Sequence, residues 1–84
     1  MIVKVQHFKD NFIESYTEEI YSNVERVCKT RDINEDLFIN LKIKNQDIEK
    51  IIPVTHIDKE GNHPALVGAI WLMNNEGKTI ERLV

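Results

Sequence analysis

The sequence predicts an α+β fold, with one long helix packed on a curved antiparallel sheet of four to five strands in the order β-α-β-β-β-β. Three observations predict it: apolar residues recur at helical spacing from about Asn11 to Thr30, they alternate from Leu37 to Ile43, and two glycine-closed turns punctuate the C-terminal half. Eighty-four residues suffice for one domain, 1–84, and are too few for two separate cores.

The first segment reads as a short strand, with Ile2, Val3, Val5 and Phe8 as its apolar members. In the next, Ile13, Tyr16, Ile20, Val24 and Val27 lie three or four positions apart, the spacing that gathers side chains on one helical stripe, with Phe12, Tyr21 and Cys28 beside it. Asn11 and Glu14 match a capping box. Glu14, Glu18 and Glu19 fall near the positive end of the helix dipole, and Arg26 and Lys29 near its negative end. Glu14, Glu18 and Glu25 therefore read as a solvated helix face in preference to an acidic docking stripe.

After a polar connection over 31–36, Leu37, Ile39, Leu41 and Ile43 alternate with Phe38, Asn40, Lys42 and Lys44, which describes a strand with one buried face. Residues 47–52 fit either a helical turn capped by Asp47 or the start of a strand, and Pro53 stops any helix there. Residues 54–57 read as strand. Asp58-Lys59-Glu60-Gly61 and Asn74-Asn75-Glu76-Gly77 each begin with a side chain that can bond its own turn and end with a glycine able to take positive φ. Both mark type I turns closed by a bulge between antiparallel strands.

Two successive hairpins follow, joining strands near 54–57, 65–73 and 78–84, with His63-Pro64 opening the middle one. That middle strand is apolar on both sides: Leu66, Gly68, Ile70 and Leu72 on one, Ala65, Val67, Ala69, Trp71 and Met73 on the other. A single helix covers one face of a sheet. The other face needs curling of the sheet, a second copy of the chain or a different protein.

Hydrophobic residues at 42% and charged residues at 30% describe an ordinary folded chain. No apolar run approaches the ~20 residues that span a bilayer, and the N-terminal residues lack the pattern of an export signal. A cytoplasmic location without membrane association is the expectation. Cys28 is the one cysteine and has no intramolecular partner. Eleven Lys and Arg against fourteen Asp and Glu give a net charge of −3, which disfavours nucleic-acid binding through Lys42, Lys44, Lys50 and Lys59.

Chemical motifs are sparse. His56 and His63 would lie nearly opposite each other across the first glycine turn, with Asp58 and Glu60 nearby, a grouping able to bind a metal or move protons. No His-x-x-x-His or His-Glu-x-x-His spacing accompanies it. Cys28 late in a helix would lie at the negative end of the dipole, which opposes activation of a thiol nucleophile. Gly77-Lys78-Thr79 lacks the upstream glycine of a phosphate-binding loop, and Ser15 and Ser22 lack a nucleophile elbow. No metal and no cofactor are expected.

Small cystatin-like domains share the strand, helix and meander order. In size, acidity and helix-then-sheet order the chain also resembles small phage inhibitors of host enzymes, such as uracil-DNA glycosylase inhibitors, although Glu35-Asp36-Leu37-Phe38-Ile39 does not align with the inhibitors' glutamate-bearing strand. The function expected is that of a small non-enzymatic protein-interaction module, an inhibitor or accessory protein of a phage or mobile element, binding through an apolar sheet face or strand edge.

In this reading Leu66, Ile70 and Leu72 pack under the helix. Val67, Trp71 and Met73, with Phe38, form the contact surface for a second copy or a host protein, and Lys42 and Lys44 supply its polar rim. The alternative is a small enzyme or metal-dependent subunit using His56 and His63.

Overall fold

A computed structural model describes residues 1–9 and 12–84, with side chains for 1–7 and 17–84. Among the described residues there is no helix, so none is long and apolar enough to cross a membrane. The chain is all-β. Its strands are β1 (Ile2–Lys9), β2 (Phe12–Tyr21), β3 (Val24–Arg31), β4 (Leu37–Ile43), β5 (Lys50–Pro53), β6 (Val67–Met73) and β7 (Thr79–Arg82).

The expected α+β class is therefore corrected, because the segment expected to be helical forms β2 and β3. Its composition explains the outcome. Residues 12–30 contain no Ala, Leu, Met or Gln, while Phe12, Ile13, Tyr16, Thr17, Ile20, Tyr21, Val24, Val27 and Thr30 are β-branched or aromatic and suit a pleated surface. The four-residue steps from Tyr16 to Ile20 to Val24 are even, so they satisfy strand alternation as well as a helical stripe.

Ser22-Asn23 then breaks the segment, with Asn23 at φ 58, in the left-handed region that asparagine tolerates. Ile20 is 62 % exposed, so the expected buried stripe does not exist, although Val24 is buried. The Asn11 cap and the side chains of Ile13, Glu14 and Tyr16 lie outside the described residues. With no helix, the order likened to cystatin-like domains and small phage inhibitors is absent.

The chain divides into two compact units. The first comprises Met1–Val24 and Val67–Val84 and holds a four-stranded sheet in the order β2-β1-β6-β7. Val3 lies opposite Tyr21 and Leu72, and Val5 opposite Glu19 and Ile70. Val3, Val5 and Ile70 thus share one face, and all three are fully buried. Each such side chain contributes about 1.5–3 kcal/mol relative to full exposure.

Register shifts where Gln6 faces Ala69 and His7 faces Val67, leaving Gly68 as the extra residue of a bulge. Ala69, on the opposite face from Ile70, is also buried, so β6 is covered on both sides at its centre, as its doubly apolar sequence requires. Of the three residues expected under a helix, Ile70 is buried, Leu72 is half-buried beside Val3, and Leu66 is exposed in the other unit.

The second unit, Glu25–Leu66, holds a three-stranded sheet in the order β3-β4-β5. The alternation in β4 appears as expected: Ile39 and Leu41 are fully buried, and Ile39 pairs with the buried Ile52. The ambiguous segment 47–52 resolves as a bend followed by β5. Residues 54–57 make one bridge, Thr55 to Ala65, within an arm over 54–66.

Both expected glycine turns form, and the polar connection over 31–36 contains a third of the same design. In each, the fourth residue's N–H donates to the first residue's carbonyl: Glu35 to Asp32 at 3.0 Å, Gly61 to Asp58 at 3.2 Å and Gly77 to Asn74 at 3.0 Å. The first side chain accepts the N–H groups of the third and fifth residues, at 2.8–3.0 Å. The fourth residue takes φ 64 at Glu35, 83 at Gly61 and 86 at Gly77. Glu35 alone does this without glycine's freedom.

Candidate functional site

The most distinctive surface arrangement is built by strand register in the first unit. Trp71 on β6 lies opposite Lys4 on β1 and Arg82 on β7, and Lys4 in turn lies opposite Ile20 on β2. Directly opposed residues point to the same face, so Ile20, Lys4, Trp71 and Arg82 form one row across all four strands. Lys4 Nζ stands 4.9 Å from the centre of the Trp71 ring system and Arg82 Cζ 5.9 Å. Both cations lie within cation–π range of the half-buried indole, and each contact is worth about 0.5–1 kcal/mol at an exposed site.

Arg82 is anchored further by its Nε, which donates to the Val84 carbonyl at 2.8 Å. Met73 and Gln6 lie on the same face, half-buried, with exposed Glu18 opposite Gln6. The centre of this face is therefore apolar and cationic, on a chain whose net charge is −3.

On the opposite face of β1 and β2, Glu19 joins two side chains. It accepts a hydrogen bond from the Tyr21 hydroxyl, and its Oε1 lies 2.7 Å from His7 Nε2, an ion-pair distance whose angle is not that of a hydrogen bond. Desolvation, reinforced by Glu19, pushes the Tyr21 hydroxyl pKa up to about 12.

The second arrangement lies in the other unit, around Asp36, which is 2 % exposed. Asp36 Oδ1 accepts from His63 Nδ1 at 2.9 Å and from the Thr55 hydroxyl at 3.2 Å, and Oδ2 accepts the Ile57 N–H at 3.1 Å. His56 Nδ1 stands 3.8 Å from Oδ2. Burial acts to raise the Asp36 pKa, but the bonds from His63, the Ile57 N–H and Thr55 outweigh it and hold the carboxyl below the usual carboxylate range.

The two histidines do converge, but on Asp36; Asp58 is engaged within its own turn. Among the described residues no group of three or more His, Cys, Asp or Glu side chains is disposed to hold a metal ion.

The expected contact residues are dispersed. Trp71 and Met73 share the face just described, both half-buried, whereas Val67 is buried and cannot contribute a contact. Phe38 belongs to the second unit, where with Thr30, Arg31, Asp32, Asn40 and Ile51 it lines a shallow groove of about 220 Å³. Lys42 donates to the carbonyls of Ile43 and Gln46, which occupies it at the end of its strand, and Lys44 is exposed in the turn that follows. Sequence reasoning missed Lys4, Ile20 and Arg82 as neighbours of Trp71, and Asp36 as the residue the histidines share.

No protein-family model matches this chain, and neither curated proteins nor solved structures give a match.

Proposed function

We propose that the chain is a non-enzymatic protein-interaction module that binds through the Trp71 face of its four-stranded sheet. The observation that carries this reading is the row Ile20, Lys4, Trp71 and Arg82. Tryptophan and arginine are enriched among the residues that dominate the binding energy of protein contacts, tryptophan through a large area with one polar group to desolvate and arginine through a planar cation that pairs with carboxylates and stacks on aromatic rings. An indole already held between two cations loses little further rotamer freedom on binding. Lys4 and Arg82 favour a partner segment that presents carboxylates beside an apolar or aromatic side chain.

The test is selection from a displayed random-peptide library against the immobilised chain. Acidic sequences with apolar or aromatic neighbours should be enriched, and Trp71→Ser should lose them while His63→Ala retains them. Selected peptides that bind the Trp71→Ser chain as well as the native one would refute the reading.

One observation favours a second reading, an acid/base activity at His63. A buried carboxylate on its Nδ1 is the arrangement that orients a catalytic imidazole. Against it, the nearby Thr55 hydroxyl is committed, donating to Asp36 while accepting the Leu37 N–H at 2.8 Å. The Asp36 bonds join the arm over 54–66 to the end of the 32–36 turn, which is a structural role. Any activity that vanishes in His63→Ala and survives in Trp71→Ser would favour this second reading.

A further inference from the structure

We propose that β3 pairs antiparallel with β3 of a second copy of the chain, in the register centred on Cys28. β3 is an edge of the three-stranded sheet and runs for eight residues, against four for the opposite edge, β5, which ends in Pro53. From Glu25 to Arg31 every side chain except half-buried Val27 is exposed. An edge of this length presents unpaired backbone groups able to template another strand.

The direction of those groups follows from the hairpin. The Asp32 N–H bonds the Asp36 carbonyl, so Asp32, and by alternation Thr30, Cys28 and Arg26, turn their backbone groups toward β4. Glu25, Val27, Lys29 and Arg31 then turn theirs to the open edge. A two-fold pairing must match outward groups with outward groups, which requires a register centred on a residue and excludes those centred between two.

Centring on Cys28 sets Glu25 opposite Arg31 and Val27 opposite Lys29, so all the outward residues are used and the opposite charges meet twice. Centring on Lys29 sets that lysine against its own copy and leaves Glu25 unpaired. Centring on Val27 leaves Arg31 opposite Asn23, which departs from the strand at φ 58. Charges on an edge strand ordinarily block pairing. Here they complement one another in the register that hydrogen bonding also favours.

The same register sets Cys28 opposite Cys28 of the second copy in a non-hydrogen-bonded pair, where Cα atoms stand about 4.5 Å apart. That is within the range of about 4.4–6.8 Å that a disulfide accepts. Cys28 is exposed and is the sole cysteine, so cross-linking reports the register.

The test is sedimentation velocity over a concentration series, together with mild oxidation and non-reducing electrophoresis. A dimer should appear in reducing buffer, and oxidation should link it through Cys28. Glu25→Arg and Arg31→Glu should each weaken the dimer about tenfold, since each reversal acts at two cross-strand pairs, and the double swap should restore it. Moving the thiol with Cys28→Ser and Thr30→Cys should abolish cross-linking, because Thr30 faces Arg26. Lys29→Pro should remove an outward N–H and give a monomer with an unchanged β-type circular dichroism spectrum. A native chain that stays monomeric throughout, or a dimer indifferent to both charge reversals, would overturn the proposal. Neither result bears on Trp71, which lies on another sheet.

Discussion

Replacing Ile20 and Ile70 separately with alanine distinguishes the all-β chain from a helical one. Ile20 is 62 % exposed on β2, and Ile70 is fully buried on β6. Complete burial of an isoleucine side chain is worth about 1.5–3 kcal/mol, so Ile20, with a little over a third of its surface covered, has roughly 0.5–1 kcal/mol to lose. Ile70→Ala removes a side chain that its neighbours enclose, adds a cavity, and should cost about 2–5 kcal/mol. The assay is urea denaturation followed by circular dichroism, comparing midpoints at a common slope. An Ile20→Ala loss as large as that of Ile70→Ala would instead require a buried stripe through Ile20 and rule out its exposed place on β2.

Asp36 contributes stability with a definite pH dependence. Its folded pKa is depressed, so the contribution is complete above the ordinary carboxylate range near ~3.9 and is lost as pH falls through the folded value. Native and Asp36→Asn melting temperatures should therefore differ at neutral pH and converge in acid, and parallel curves would count against it. Glu35→Gly should stabilise the chain by roughly 0.5 kcal/mol because it removes a left-handed glutamate, while Gly61→Ala, with open space around the added Cβ, should cost about 1 kcal/mol through backbone conformation alone; equal-signed changes in chemical denaturation would contradict this. For Tyr21 the sign is opposite to Asp36: its raised pKa favours the fold below the ordinary tyrosine value of about 10, and the benefit is lost as pH rises toward about 12. Tyrosinate absorbance should show one late-titrating group that moves down in Glu19→Gln.

Legibility in the sequence tracked how local each signal was. Strand β4 was readable because Leu37, Ile39, Leu41 and Ile43 alternate without interruption, and the turns at Asp58 and Asn74 because each pairs a capping side chain with a glycine. The third turn was hidden by Glu35, which occupies the glycine position at a conformational cost. The segment expected as a helix, about 11–30, misled because the four-residue steps from Tyr16 to Ile20 to Val24 fit both periods; composition and the Ser22-Asn23 break were the better indicators.

Spacing across the Asp58 turn brought His56 and His63 together, but neither the Asp36 they share nor the row around Trp71 could be read from it. Asp36 meets its partners across 19 to 27 residues of chain, and Lys4 and Arg82 reach Trp71 from opposite ends of the sequence. Such neighbours are set by strand pairing, which periodicity does not encode.

Trp71 is the only tryptophan, so its fluorescence reports directly on the proposed contact face. The most direct measurement is a titration of the native chain with a library-selected acidic peptide, following Trp71 emission at low and high salt. Trp71 emission should show a saturable blue shift as the indole leaves water, with an affinity that falls as salt screens Lys4 and Arg82 and is lost in Lys4→Glu or Arg82→Glu. Binding that saturates by calorimetry while Trp71 emission stays unchanged would place the contact elsewhere and contradict the Trp71 face as the binding surface.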